Sequence, residues 1–186
     1  LYELPKLQRG LVILPMTTAM LRTPPLHYVE GNTLDLQIGD TFNSTAFAKK
    51  LSLNGYRTVE TVYEHGEMAI RGALLDVFPM GSEIPYRNDL LDDEVETLRT
   101  FDPETQRTVD RVDQIKLLPA REFPIGGDAI HRFQMAWFES FDGDADLCPA
   151  FTELSAGRVP GGAEYYLPLF FEHCGTVFDY LPHNAA

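Results

Sequence analysis

Hydrophobic and polar positions change their period twice along the chain. Residues 10–15 open with a continuous apolar run, Leu11-Val12-Ile13-Leu14, bounded by Gly10 and Pro15, the dimensions of a short strand buried on both faces. Residues 17–22 predict one or two helical turns, which Pro24-Pro25 ends. Leu34, Leu36 and Ile38 alternate with Asp35 and Gln37, the pattern of a half-buried strand, and Gly39-Asp40 stops it. Asn43 or Ser44 then caps a helix that runs to Leu53 and terminates at Asn54-Gly55.

From Tyr56 the period shortens to that of consecutive strands. Residues 56–63, 67–71, 73–78, 84–91 and 94–101 are separated by His65-Gly66, Gly72, residues 79–83 and Asp92-Asp93, all suited to turns or bulges. An antiparallel meander is expected, with a further turn at Thr105-Gln106-Arg107 and a last strand over residues 112–118. Beyond Phe123-Pro124-Ile125-Gly126-Gly127 the pattern turns helical. Asp128 caps a helix whose apolar positions Ile130, Phe133, Trp137, Phe138 and Phe141 recur at three- and four-residue steps. Residues 149–156 suggest a second helix closed by Gly157, and Tyr165, Tyr166, Phe170 and Phe171 form an aromatic run that needs a neighbour to pack on. The expected fold is mixed α/β, with a strand-rich meander domain over residues 33–118 flanked by residues 1–32 and 119–186 as two pieces of one α/β domain.

Composition places the chain among globular proteins: 186 residues, 44% hydrophobic and 23% charged. Its apolar runs fall far short of the roughly 20 residues a membrane span requires, so no membrane partner is expected. The formal net charge is −13. Residues 1–32 carry +1, residues 33–118 carry −7 and residues 119–186 carry −7, a surface that repels a phosphate backbone. Cys148 and Cys174 have no CxxC spacing, and two free thiols in the cytoplasm are expected. Asn43-Ser44-Thr45 matches a glycosylation acceptor by chance on that view. The chain opens at Leu1 in mid-pattern, which suggests a piece of a longer protein.

Several motifs promise chemistry that their surroundings withdraw. Asp142, Asp144, Asp146 and Glu153 stand at positions 1, 3, 5 and 12 of a calcium loop, but Leu147 replaces the glycine of the sharp turn and Pro149 follows. An acidic solvated loop is the simpler reading. Leu90-Leu91-Asp92-Asp93-Glu94 has the form of a magnesium-binding strand end, yet the sequence holds no GxxxxGK[ST] loop to cradle a nucleotide. The five histidines, His27, His65, His131, His173 and His183, include no pair at helical metal spacing. No catalytic residue, metal site or cofactor is therefore assigned to the chain.

What remains is the surface of the meander. Strand alternation puts Tyr86, Asn88 and Leu90 on one face and Arg87, Asp89 and Leu91 on the other. By the same alternation Met68 and Ile70 should face the core, leaving Glu67, Ala69 and Arg71 outward. Guanidinium groups beside an exposed apolar side chain are the material of protein–protein hot spots. A solvated face laced with salt bridges is the bland alternative.

A specific string runs through this region: Asn54-Gly55-Tyr56-Arg57, Glu64-His65-Gly66-Glu67-Met68-Ala69-Ile70-Arg71-Gly72-Ala73-Leu74-Leu75-Asp76-Val77-Phe78-Pro79, Pro85-Tyr86-Arg87, Asp93-Glu94-Val95-Glu96, Phe101-Asp102-Pro103, Thr105-Gln106-Arg107 and Leu118-Pro119-Ala120-Arg121-Glu122-Phe123. Taken in order it closely resembles the amino-terminal, UvrB-homologous module of bacterial transcription-repair coupling factors, with weaker similarity from Gly161-Gly162-Ala163-Glu164-Tyr165-Tyr166 onward. The resemblance implies that the parent displaces stalled RNA polymerase by ATP-driven translocation on DNA and recruits the excision-repair protein UvrA. It implies that the meander is the UvrA-binding domain and that the flanks belong to a degenerate helicase-like ATPase domain. ATP and Mg would then act in the parent rather than in this piece, and RNA polymerase and DNA would be engaged by domains outside it.

Matched by position, Arg71 and Arg87 fall at the UvrA contact. A third contact is an aromatic residue in the family and is Leu91 here, with Leu91 expected between the two arginines. The parent's carboxy-terminal domain would mask the same surface. Replacing either arginine by alanine is expected to weaken UvrA binding and spare stability. The competing function is a nucleotide- or DNA-handling enzyme domain like UvrB itself.

Overall fold

A computed structural model describes residues 1–182; His183, one of the five histidines, lies outside the described residues. In chain order the elements are α1 (Met16–Ala19), α2 (Leu26–Asn32), β1 (Leu34–Gln37), α3 (Ser44–Leu53), β2 (Arg57–Thr58), β3 (Glu67–Arg71), β4 (Leu74–Val77), β5 (Tyr86–Leu91), β6 (Glu94–Phe101), β7 (Thr108–Val112), β8 (Gln114–Leu117), α4 (Gly127–Ser140) and α5 (Pro149–Ser155). They form a mixed α/β fold of two compact units, Asn32–Arg121 on the one hand and Leu1–Gly31 with Glu122–Ala186 on the other.

In the unit Asn32–Arg121, six strands run in the order β2-β3-β4-β5-β6-β7, and β1 pairs with β8 in a separate antiparallel ribbon. The alternation of Leu34 and Leu36 matches that of Leu117 and Ile115 in register, so the ribbon presents one apolar face. That face meets Met68, Val77, Leu90, Val95 and Leu98 from the sheet and Leu51 from α3 in one core. Each such fully buried side chain stabilises the fold by about 1.5–3 kcal/mol relative to exposure. Asn43 starts α3 by accepting the backbone N–H of Ala46 at 2.9 Å, as a capping asparagine should. After α3 the chain reverses at Gly55, whose φ of +98° and close approach to Arg121 leave no room for a side chain: a Cβ there would lie 2.7 Å from that of Arg121. Tyr56 follows, buried, its hydroxyl donating to the Leu118 carbonyl at 2.7 Å, and burial raises its phenol pKa well above the ordinary value.

Three strand expectations are corrected. The strand expected over residues 56–63 shrinks to Arg57–Thr58, which runs parallel, not antiparallel, to β3. The chain leaves the sheet there because Val62 is needed elsewhere, fully buried with Ala69, Phe78 and Phe101 in a second apolar cluster. The last strand, expected over residues 112–118, is confined to β8, and Val112 instead ends β7, an additional strand that belongs to the other sheet. Residues 10–15 form no strand. Leu11 and Ile13 are each 84% exposed, and an apolar run becomes a strand only where a neighbour takes up its backbone hydrogen bonds.

The unit of Leu1–Gly31 and Glu122–Ala186 is built on aromatic packing. Phe133 and Trp137, four residues apart on one face of α4, are buried. Phe133 stacks on Phe170 at 4.9 Å, and Phe170 on Phe123 at 4.5 Å. The aromatic run after Gly162 is a 3-10 helix, Ala163–Phe170, so Phe170 and Leu167 turn inward while Tyr165 stays exposed. Phe138 and Phe141, expected on the same buried face as Phe133, are instead largely exposed. Tyr180 is buried and donates to the Pro24 carbonyl at 2.7 Å.

Candidate functional site

The second face of the six-stranded sheet is organised in rows. Ala69, Asp76, Arg87, Arg99 and Arg111 stand directly opposite one another on β3 to β7. The next row is Arg71, Leu74, Asp89 and Thr97, and beyond it Leu91 faces Glu94 at the hairpin end. Residues in register share a face, so these side chains form one surface, opposite the face that carries Leu90, Leu98 and the main core.

Asp76 is the pivot of that surface. It is 0% exposed and sits between the apolar Leu75 and Val77 on β4. A buried carboxylate requires charged or hydrogen-bonding partners, and two guanidiniums supply them. Arg87 donates to both its oxygens, Nε to Oδ1 at 2.7 Å and Nη2 to Oδ2 at 2.8 Å, and Arg71 Nη2 shares Oδ2. The bidentate pairing pushes the Arg87 pKa further up and fixes the plane of its guanidinium. Below it lies the Phe101 ring, its centroid 4.7 Å from Cζ, and Nη1 donates to the Gln106 carbonyl at 3.1 Å. Gln106 reaches that position at a φ of +59°, held by side-chain bonds to the carbonyls of Val62 and Pro103.

The sequence-predicted residues therefore differ in kind. The Arg87 side chain is only 14% exposed and is mostly spent on Asp76, whereas Arg71 keeps 43% of its side chain in solvent. Leu91 is 59% exposed, next to the turn Asp92-Asp93. It does not lie between the arginines, as expected, but past Asp89 at the end of the strand, because Arg71 stands level with Asp89. The outward placement of Glu67 and Ala69 is also corrected: both are buried, and Ile70 is part-exposed. Ala69 is covered by Val62 and Phe78. Glu67 turns its carboxylate onto the backbone N–H groups of Tyr63 and Glu64, at 2.8 and 2.9 Å, and onto Arg57 at 3.1 Å. Sequence reasoning missed Asp76, Gln106 and Phe101. The signal for Asp76 was available, a lone acid inside an apolar strand whose parity faces Arg87.

The remaining motifs resolve into local structure. Asp92 and Asp93 both adopt positive φ, +50° and +68°, and make the tight turn between β5 and β6 rather than a metal-binding strand end. In the acidic loop, Asp144 caps a 3-10 turn and Glu153 is clamped by Arg158 at 2.6 and 2.8 Å. No group of three metal-ligating side chains occurs among the described residues, and no helix among them is long and apolar enough to cross a membrane. His65 packs on Phe78 with centroids 4.0 Å apart, its Nε2 2.7 Å from the Ser82 carbonyl.

A small sheet with one face sealed by a core and the other bearing ion-paired arginines and an exposed leucine defines a compact domain with an open, charged face. Residues 34–123 match the family described as the UvrB interaction domain, and this segment belongs to that family. Over its whole length the chain is 45% identical to the transcription-repair-coupling factor of Escherichia coli and, over 187 aligned residues, 44% identical to that of Haemophilus influenzae. The factor of Bacillus subtilis is 27% identical over 94% of the chain. The chain spans about a sixth of the length of these curated relatives, 16% of each.

Proposed function

We propose that the arginine face of the sheet is a docking site for UvrA, and that the chain is the UvrA-recruiting part of a factor that couples transcription to nucleotide excision repair. The observation that carries this reading is the pairing of Arg71 and Arg87 on the buried Asp76, beside the exposed Leu91. The shared carboxylate holds two guanidiniums in place before a partner arrives, so little side-chain entropy is lost on docking. Arg71 offers its free donors to a partner carboxylate, Arg87 keeps the surface rigid, and Leu91 supplies the apolar contact.

On this reading the chain itself acts without catalysis or a bound cofactor. ATP and Mg serve motor domains elsewhere in the longer protein, where RNA polymerase and DNA are engaged. The carboxy-terminal domain of that protein covers the arginine face until repair begins. Capture of UvrA on the immobilised chain tests the reading. Arg71→Ala should weaken capture by about 1–2 kcal/mol while the melting curve moves little. Undiminished capture by that variant, and by Leu91→Asp, contradicts it.

A further inference from the structure

The row Asp76, Arg87, Arg99, Arg111 holds three arginines directly opposite one another on three adjacent strands. Like charges in that relation repel, and a chain of net charge −13 has no general need of them. The first two are neutralised within the face, Arg87 by Asp76 and Arg99 by Asp89, which also accepts from Thr97. Arg111 has no such partner. It is exposed on β7, the edge strand, and its side chain makes no hydrogen bond or ion pair among the described residues. Its side chain shares the face of Arg99 rather than that of the core, because its neighbour Val112 packs against the core cluster opposite Leu98.

We infer that the docking face extends across β6 to the sheet edge, with Arg111 contacting a carboxylate on the same partner that Arg71 and Leu91 engage. The partner surface is then an acidic strip running across the strands, from the hairpin end of β5 to β7. Charge complementarity selects it: Arg71 and Arg111 keep donors for a partner at the two ends of a face whose arginines stand at the spacing of neighbouring strands, about 5 Å, with Arg87 and Arg99 paired internally between them. Arg99 is the link between the two ends, and Arg111 the one member of the row with all its donors free for a partner.

This inference rests on UvrA being the partner, and one set of titrations separates the two. UvrA is titrated calorimetrically into the chain as wild type and as Arg71→Ala, Arg111→Glu, Arg111→Ala, Arg111→Lys and Lys50→Glu, each checked for an unchanged melting curve. Arg111→Glu should weaken binding about tenfold, more at low salt than at high, with Arg111→Ala intermediate and Arg111→Lys close to wild type. Lys50→Glu, which makes the same charge change on α3, should have no effect. Binding lost with Arg71→Ala but kept with Arg111→Glu overturns the inference and leaves the UvrA reading standing. Equal losses with Arg111→Glu and Lys50→Glu also overturn it, since the effect would then be one of net charge. Absence of UvrA binding by the wild type, or binding that neither Arg71→Ala nor Arg111→Glu changes, overturns both.

Discussion

Asp76 sets the division of labour among the residues of the arginine face. Truncating Arg87 removes a bidentate bond and leaves a fully buried carboxylate with one half-exposed partner, so stability and binding cannot be separated at that position. Arg87→Ala is expected to lower the unfolding free energy by about 2–4 kcal/mol, against about 1 kcal/mol or less for Arg71→Ala, as read from urea denaturation. The sequence led to the opposite expectation for Arg87. Alternation told correctly which residues share a face, but not that a carboxylate on the adjacent strand would claim one of them. Burial of a polar group depends on what lies above the sheet, here Val62, Phe78 and Phe101, and that is set by a loop whose path has no periodic signature.

Buried phenols give a second expectation at this scale. Burial raises the pKa of Tyr56 and pushes that of Tyr180 up to about 12. A raised folded-state pKa means stability that is complete below the ordinary tyrosine value and is lost as pH rises through the folded one. In a titration followed by phenolate absorbance, Tyr56 and Tyr180 should ionise late, and their ionisation should coincide with unfolding. Ionisation of Tyr56 and Tyr180 at the ordinary tyrosine value, with the fold intact, would contradict the burial.

Among the elements, the β5–β6 hairpin matters most because it carries Leu91. Its turn forces two aspartates into the left-handed region, at φ +50° and +68°, a conformation that glycine adopts without cost. Asp92→Gly, which relieves the left-handed strain without giving up the Asp93 carboxylate that accepts the Ser44 backbone N–H, is expected to stabilise the chain by about 0.5–1 kcal/mol in denaturant titrations and to leave the position of Leu91 unchanged. Elements with strong local signals were legible in advance. The cap at Asn43, the alternation of β1 and β5, and the burial of Phe133 and Trp137 on one face of α4 follow from local chemistry. Those whose existence depends on a distant partner were not: the apolar run at residues 10–15 has strand composition and no strand, and β2 pairs parallel to β3 although the turn at His65-Gly66 suggested an antiparallel pair.

For the whole molecule, the unit Asn32–Arg121 has a core of its own and closes on itself through the β1–β8 ribbon. Expressed alone, it is expected to unfold in one cooperative transition and to keep the affinity of the intact chain for UvrA. Loss of that affinity with the fold retained would place the docking surface in the other unit. The family of this segment was legible in the sequence because its motif string is long and ordered, spanning turns and buried positions together. The arrangement of the proposed docking face was legible only in part, since the ion-pair geometry that orders it is tertiary.

Docking of UvrA on the arginine face is tested most directly by calorimetric binding of UvrA to the double variant Arg71→Ala, Leu91→Asp. Both side chains are substantially exposed, so the fold should survive intact by circular dichroism. If UvrA docks on this face, affinity falls by about two orders of magnitude or more relative to the wild type, in line with two lost contacts of hot-spot size. An affinity equal to that of the wild type, in a folded variant, would show that UvrA does not dock on this face.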